Sequence, residues 1–257
     1  MYYQAVQYIK FLFKSSNHHG VHSPFVYNLV SKCFYDRNNY SDYKAIVNYK
    51  KALLNNNRKI SIKDLGVGSQ VMRQTERTVC NIANTAGTTN KRAKLLYRLS
   101  IYFKPKNVLE LGTSLGIATH ALALANPNAN ITTIEGCPNT FEFSVNNLDS
   151  YNLKNIKPIN GNFNNEIEKL KSIQYDLIFF DGNHQKKATL NYFETLLKTA
   201  NNNSIFIFDD IYWSKNMTKA WEIIKKHPKV TVTIDTFYWG FVFFRTEQVK
   251  QHFTIRV

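Results

Sequence analysis

The chain has 257 residues, 44% hydrophobic and 14% aromatic, enough apolar mass for a full core and too much for a disordered chain. It carries 33 Lys and Arg against 18 Asp and Glu, a net charge of +15, and residues 1–107 hold 18 of the bases with only 4 of the acids. No run of about 18 uncharged apolar residues occurs, which excludes a membrane-spanning helix, and three scattered cysteines give neither a disulfide framework nor a zinc spacing.

The opening MYYQAVQYIKFLFKSS has a short apolar run broken by Lys10 and no small-residue cleavage site, so no leader peptide is expected. With the cysteine usage this points to a reducing, cytoplasmic setting. His18, His19 and His22 have no acid or cysteine beside them; they read as a hydrogen-bonded loop or as a substrate-contacting segment. Ser23 and Pro24 suit the cap and first position of a helix over FVYNLVSKCF. A second helix is expected at about 41–55. DLGVGSQ (64–70) has the look of a nucleotide loop, but no acid stands about 20 residues on and no apolar helix follows, so a structured or pocket-lining loop is expected. After a connection at 84–91, residues 92–103 form an amphipathic helix. Residues 1–90 are therefore expected as a basic, mainly helical extension, and residues 91–257 as a second domain.

From residue 107 strand and helix alternate. Strands are expected at 107–111, 131–135, 156–159, 175–181 and 204–210. Helices are expected at 117–125, 139–149, 164–172, 184–200 and 214–227. VTVTIDTF (230–237) and GFVFFR (240–245), separated by a tight Tyr238–Trp239 turn, close the pattern as an antiparallel pair. This is an α/β protein with a mixed sheet of five parallel strands and a reversed edge hairpin.

The sharpest motif is VLELGTSLG (108–116), a strand-to-helix turn with Gly112 and Gly116 spaced GxxxG and Glu110 just before them. Such a turn offers backbone N–H groups and a positive helix end to a ligand. Glu135, at the end of the next strand, is placed to accept both hydroxyls of a ribose. A dinucleotide fold wants glycine where Ser114 stands, so a nucleoside ligand without a pyrophosphate fits better. Asp181, Asp209 and Asp210 lie at the carboxyl ends of the fourth and fifth strands, where α/β proteins bind ligands. Three oxygen donors suit a hard divalent ion such as Mg²⁺. Alternatively Asp181 contacts the nucleoside while Asp209 or Asp210 caps a helix or pairs with a lysine. His184, three residues past Asp181, is a candidate general base.

These residues resemble class I S-adenosylmethionine-dependent methyltransferases, and in particular the catechol and caffeoyl-CoA type of O-methyltransferase, over about 107–245. The resemblance implies a Rossmann-like seven-stranded sheet in the order 3-2-1-4-5-7-6. It implies that Glu110, Gly112, Thr113, Ser114 and Gly116 cradle the methionine part of the cofactor, that Glu135 and Gly136 serve the ribose, and that Asn162 and Phe163 lie beside the adenine. Asp181, Asp209 and Asp210 match that group's metal ligands, with Asp210 standing where the family has Asn. His184 stands where it has a catalytic Lys. The N-terminal part is similar to an HGVHSPF-type extension of bacterial methyltransferase-like proteins. The implied activity is O-methylation of a small acceptor, anionic if the basic extension contacts it, with help from a divalent ion. Two alternatives stay open. One is methylation of RNA or another polyanion, motivated by the basic segment but lacking an RNA-binding module or an NPPY-like tetrapeptide. The other is a non-catalytic binding protein that keeps the fold. Whether the extension caps the site or builds a homodimer is also open.

Overall fold

The computed structural model describes residues 2–63 and 74–257; the DLGVGSQ loop lies outside the described residues. The chain divides into two compact units, Asp36–Glu166 on the one hand and Met1–Tyr35 with Ile167–Val257 on the other. The division expected at residue 90 falls inside the first of these. The charge is redistributed accordingly: Asp36–Glu166 carries 17 basic and 9 acidic side chains, and the other unit 16 and 9. The excess that looks N-terminal along the sequence is spread almost evenly over the two units.

In Asp36–Glu166 the helices are α3 (Tyr43–Leu54), α4 (Val79–Thr85), α5 (Asn90–Phe103), α6 (Ile117–Ala125) and α7 (Pro138–Asp149). Thr78 and Thr89 cap α4 and α5, their hydroxyls accepting from Asn81 N and Arg92 N. Strands β3 (Asn107–Leu111), β4 (Asn130–Glu135) and β5 (Ile156–Asn160) run parallel, with β4 in the middle. An antiparallel ribbon of β1 (Lys59–Lys63) and β2 (Gln74–Thr78) is an addition to the expected elements. One core joins the early helices to the ligand turn: Tyr43, Ile46, Tyr49 and Leu53 pack in one cluster with Leu115, Ile117, Phe143 and Leu148. The Tyr49 hydroxyl donates to the carbonyl of Leu115 at 2.8 Å. Residues 43–60 and 79–83 thus contribute to the same core as the nucleoside-type motif.

The other unit contains α1 (Tyr2–Lys14), α2 (Pro24–Leu29), α9 (Lys186–Leu196) and α10 (Lys215–Lys226), while α8 (Phe163–Leu170) spans the boundary. Ser23 caps α2 as its sequence suggests, its hydroxyl accepting from Val26 N at 3.4 Å. Strands β6 (Leu177–Phe180) and β7 (Ile205–Asp209) are parallel, and β9 (Trp239–Phe243) runs antiparallel to both β7 and β8 (Val232–Asp235). The hairpin turn falls at residues 236–238, slightly earlier than expected, because Asp235 pairs with Gly240. A further strand, β10 (Gln251–Thr254), adds in parallel to the outer edge of β8. In the expected strand numbering the units carry 3-2-1 and 4-5-7-6, and β10 is an edge strand beyond the seven expected.

Candidate active site

The turn after β3 is built by backbone conformation. Gly112 and Gly116 have φ of 106° and 77°, and Ser114 between them has 48°. Three left-handed residues in five coil the chain tightly, and at Gly116 a Cβ would come within 2.8 Å of the Tyr49 hydroxyl. The amides of Gly112 and Thr113 both donate to the carbonyl of Ile134 in β4, tying the turn to the neighbouring strand. At the end of β4, Glu135 extends its carboxylate back against the turn. One oxygen accepts from Ser114 N at 2.9 Å and the other from Cys137 N at 2.8 Å. Burial raises the pKa of Glu135, and these amides oppose the rise. The Glu135 carbonyl in turn accepts from Gly161 N and Asn160 Nδ2, which sets residues 160–162 beside it. Gly136 follows Glu135 directly, Asn162 is exposed, and Phe163 opens α8 half-buried.

Glu110 lies beneath the turn, fully buried. Its Oε2 accepts from the hydroxyls of Thr119 at 2.5 Å and Thr133 at 2.6 Å, and its Oε1 is buried with no hydrogen-bond partner. The Thr133 hydroxyl spends its proton on Glu110, so Thr113, 2.5 Å away, must be the donor to Thr133. Sequence reasoning missed the pairing of Thr119 and Thr133 with Glu110. The signal was there: Thr133 sits opposite Glu110 in the β3–β4 register, and Thr119 is one turn into α6.

Burial pushes the Glu110 carboxyl up from 4.5 to about 7. The unfolded chain loses this proton at lower pH than the folded one. Its contribution to stability is therefore full below pH 4.5, falls as pH rises to about 7, and is constant above that. The fall amounts to at most about 3 kcal/mol. Glu110→Gln is expected to remove it, so that wild-type and variant stability curves diverge across this window. Parallel curves by denaturant unfolding would show that Glu110 does not titrate there.

The second group lies in the unit containing Ile167–Val257. Among the described residues, Asp181, His184 and Asp209 form the group of side chains that could hold a metal ion, one ligand atom from each lying within 4.8 Å of the others. Asp181 follows β6 directly, and His184 Nε2 is 3.8 Å from Asp181 Oδ1. His184 stands before α9, not inside it, after Asn183 in the left-handed region at φ 50°. Asp209 ends β7 and is buried; its Oδ1 accepts from Trp239 Nε1 at 2.6 Å. Trp239 is its cross-strand partner on β9, a contact legible only once the hairpin register is known. A cavity of about 10 Å³ between His184, Asp209, Tyr192 and Met217 is just large enough for one small occupant. Asp210 is not part of this group. It adopts φ of 52° and lines a different cavity, with Tyr8, Tyr212 and Phe237. Neighbouring residues of a strand face opposite ways, and the left-handed turn separates the two aspartates further. The expected three-carboxylate set is thereby replaced, as a geometric grouping, by two carboxylates and an imidazole.

Residues 109–211 match a family model described as a methyltransferase domain. Solved structures share the fold. The SAH-bound methyltransferase PaMTH1 of Podospora anserina superposes with a TM-score of 0.61 at 16% identity, covering 88% of this chain and 97% of that one. An O-methyltransferase from Bacillus cereus in complex with SAH gives 0.55 at 18% identity, covering 82% and 93%. The O-methyltransferase TomG of Streptomyces achromogenes, involved in tomaymycin synthesis and solved with SAM, gives 0.53 at 20% identity, covering 61% and 80%. No helix among the described residues is long and apolar enough to cross a membrane.

Proposed function

We propose that this chain, whose residues 109–211 match a methyltransferase-domain model, is an S-adenosylmethionine-dependent O-methyltransferase acting on a small acceptor. The observation that carries the reading is the Glu135 carboxylate held against the Ser114 amide at the ligand turn. SAM or SAH in the related structures supports it. The residues fit that cofactor. Glu135 accepts from the Ser114 and Cys137 amides, with a further backbone bond from Gly136, and keeps acceptor capacity for a ribose hydroxyl. The buried, unpartnered Glu110 Oε1 is suited to a donor brought by the ligand. When bound, the cofactor supplies an electrophilic methyl on a sulfonium.

The chain's own task is to hold the acceptor oxygen in line and receive its proton. With no ion bound, His184 Nε2 is the group assigned to that proton, with the Asp181 carboxylate placed to stabilise the imidazolium formed. Asp181, His184 and Asp209 also fit a divalent ion, which would lower the pKa of an acceptor hydroxyl. A mixed oxygen and nitrogen set favours Mn²⁺ over Mg²⁺. Three widely scattered cysteines suit a reducing, cytoplasmic compartment.

The test is methyl transfer from labelled S-adenosylmethionine to a panel of hydroxylated acceptors, with and without EDTA. EDTA is expected to lower turnover at least about tenfold, with Mn²⁺ restoring more than Mg²⁺. Turnover unchanged by EDTA would eliminate the ion and leave His184 as the base; no transfer to any acceptor would overturn the reading.

A further inference from the structure

The unit formed by Met1–Tyr35 and Ile167–Val257 contains a cavity of about 290 Å³ that the proposed mechanism leaves unused. One wall is α1, which contributes Gln4, Ala5 and Tyr8 from a single face; the others are the loop after β7 and the β8–β9 turn. Five lining side chains are aromatic: Tyr8, Tyr212, Trp213, Phe237 and Tyr238. The walls are tied together. Tyr3 OH donates to Thr218 Oγ1 at 2.8 Å, fixing α1 to α10. Tyr8 meets Phe237 edge-on at 4.8 Å, and Tyr212 stacks on Phe237 at 5.2 Å. The buried Asp235 accepts from both the Tyr212 hydroxyl and Phe237 N. Trp213 and Tyr238 remain 57% and 52% exposed, so the cavity opens to solvent.

Two observations bear on its occupant. In a chain of net charge +15, the lining includes no Lys or Arg among the described residues, and its charged member there is Asp210. Tyrosine and tryptophan faces are electron-rich and attract cations, and one carboxylate adds to that field. In addition, Asp210 and Phe237 both hold left-handed backbones, at φ of 52° and 73°. For a residue as bulky as Phe this conformation is strained, and such strain tends to concentrate at ligand sites.

We propose that this cavity binds the cationic end of a small aromatic ligand: a single ring bearing an ammonium group, held by the aromatic walls and Asp210. The volume, at the low end for ligand pockets, admits one ring with a short chain. Calling that ligand the methyl acceptor rests on the methyltransferase reading; the binding preference does not. Among the described residues, the basic side chains that suggest an anionic acceptor from sequence do not line this cavity.

The test is calorimetric titration of the full chain with three compounds of matched shape: tyramine, 4-propylphenol and 3-(4-hydroxyphenyl)propanoate. Tyramine is expected to bind at least roughly tenfold more tightly than 4-propylphenol, and the propanoate more weakly than either. Asp210→Asn, whose amide tolerates the left-handed backbone, should erase most of tyramine's advantage. Should that variant not fold, Tyr8→Leu keeps an apolar wall and is expected to reduce the same ratio. Equal affinity for cation and neutral probe, no saturable binding of any probe, or a ratio untouched by the variants would overturn the proposal. SAH is titrated into the same samples. Failure to bind SAH with the cation preference intact would remove the methyltransferase reading alone.

Discussion

Replacing Glu135 by alanine is expected to weaken S-adenosylmethionine binding by roughly a hundredfold, about 3 kcal/mol. The carboxylate would accept a ribose hydroxyl in a charge-assisted bond, and it also orders the turn through Ser114 N and Cys137 N. Alanine removes both contributions and leaves two amides to find water. Glu135→Gln keeps an acceptor oxygen without the charge, so its loss should be smaller. The two variants separate charge from shape. Calorimetry with SAH reads the effect directly, and equal affinity in wild type and Glu135→Ala would place the ribose elsewhere.

The second large effect is expected at Asp209. Asparagine keeps an oxygen to accept from Trp239 Nε1, so the buried contact survives and the melting temperature should change little. The charge is lost, and with it one member of the group formed with Asp181 and His184. Methyl transfer is expected to fall at least about a hundredfold, the scale of losing a positioned acid–base or metal-binding group, while SAH affinity stays near the wild-type value. Full activity in Asp209→Asn would leave that carboxylate a structural role only.

The strands and the ligand turn were readable because their causes are local. A short apolar run, two glycines and an apolar helix give one answer for VLELGTSLG, and Glu135 follows at the end of the next strand. What was not readable depends on register and on distant packing. The partners of Glu110 come from the β3–β4 pairing and from α6; Trp239 reaches Asp209 only through the β7–β9 register. Tyr49 reaches Leu115 across 66 positions of chain, which is why an N-terminal segment that reads as a separate extension is part of the same core. The strand at Gln251–Thr254 is four residues long at a sheet edge, too short for an alternation pattern to stand out. Asp209 and Asp210 are the instructive pair. Adjacency in sequence suggests a shared role, whereas strand geometry and a left-handed turn send them to two cavities.

The charge also takes on a different meaning. An excess that lies within residues 1–107 along the sequence is divided between the two units once the chain is folded. It therefore no longer singles out an N-terminal surface for an anionic partner, and the described lining of the aromatic cavity, with Asp210 as its charged residue, favours a cation there.

The most direct test of the central claim is calorimetric titration of the purified wild-type chain with S-adenosylmethionine. A saturable, one-to-one exothermic isotherm, abolished by prior saturation with SAH, is the predicted result. Absence of binding, with the protein shown to be folded, would contradict it.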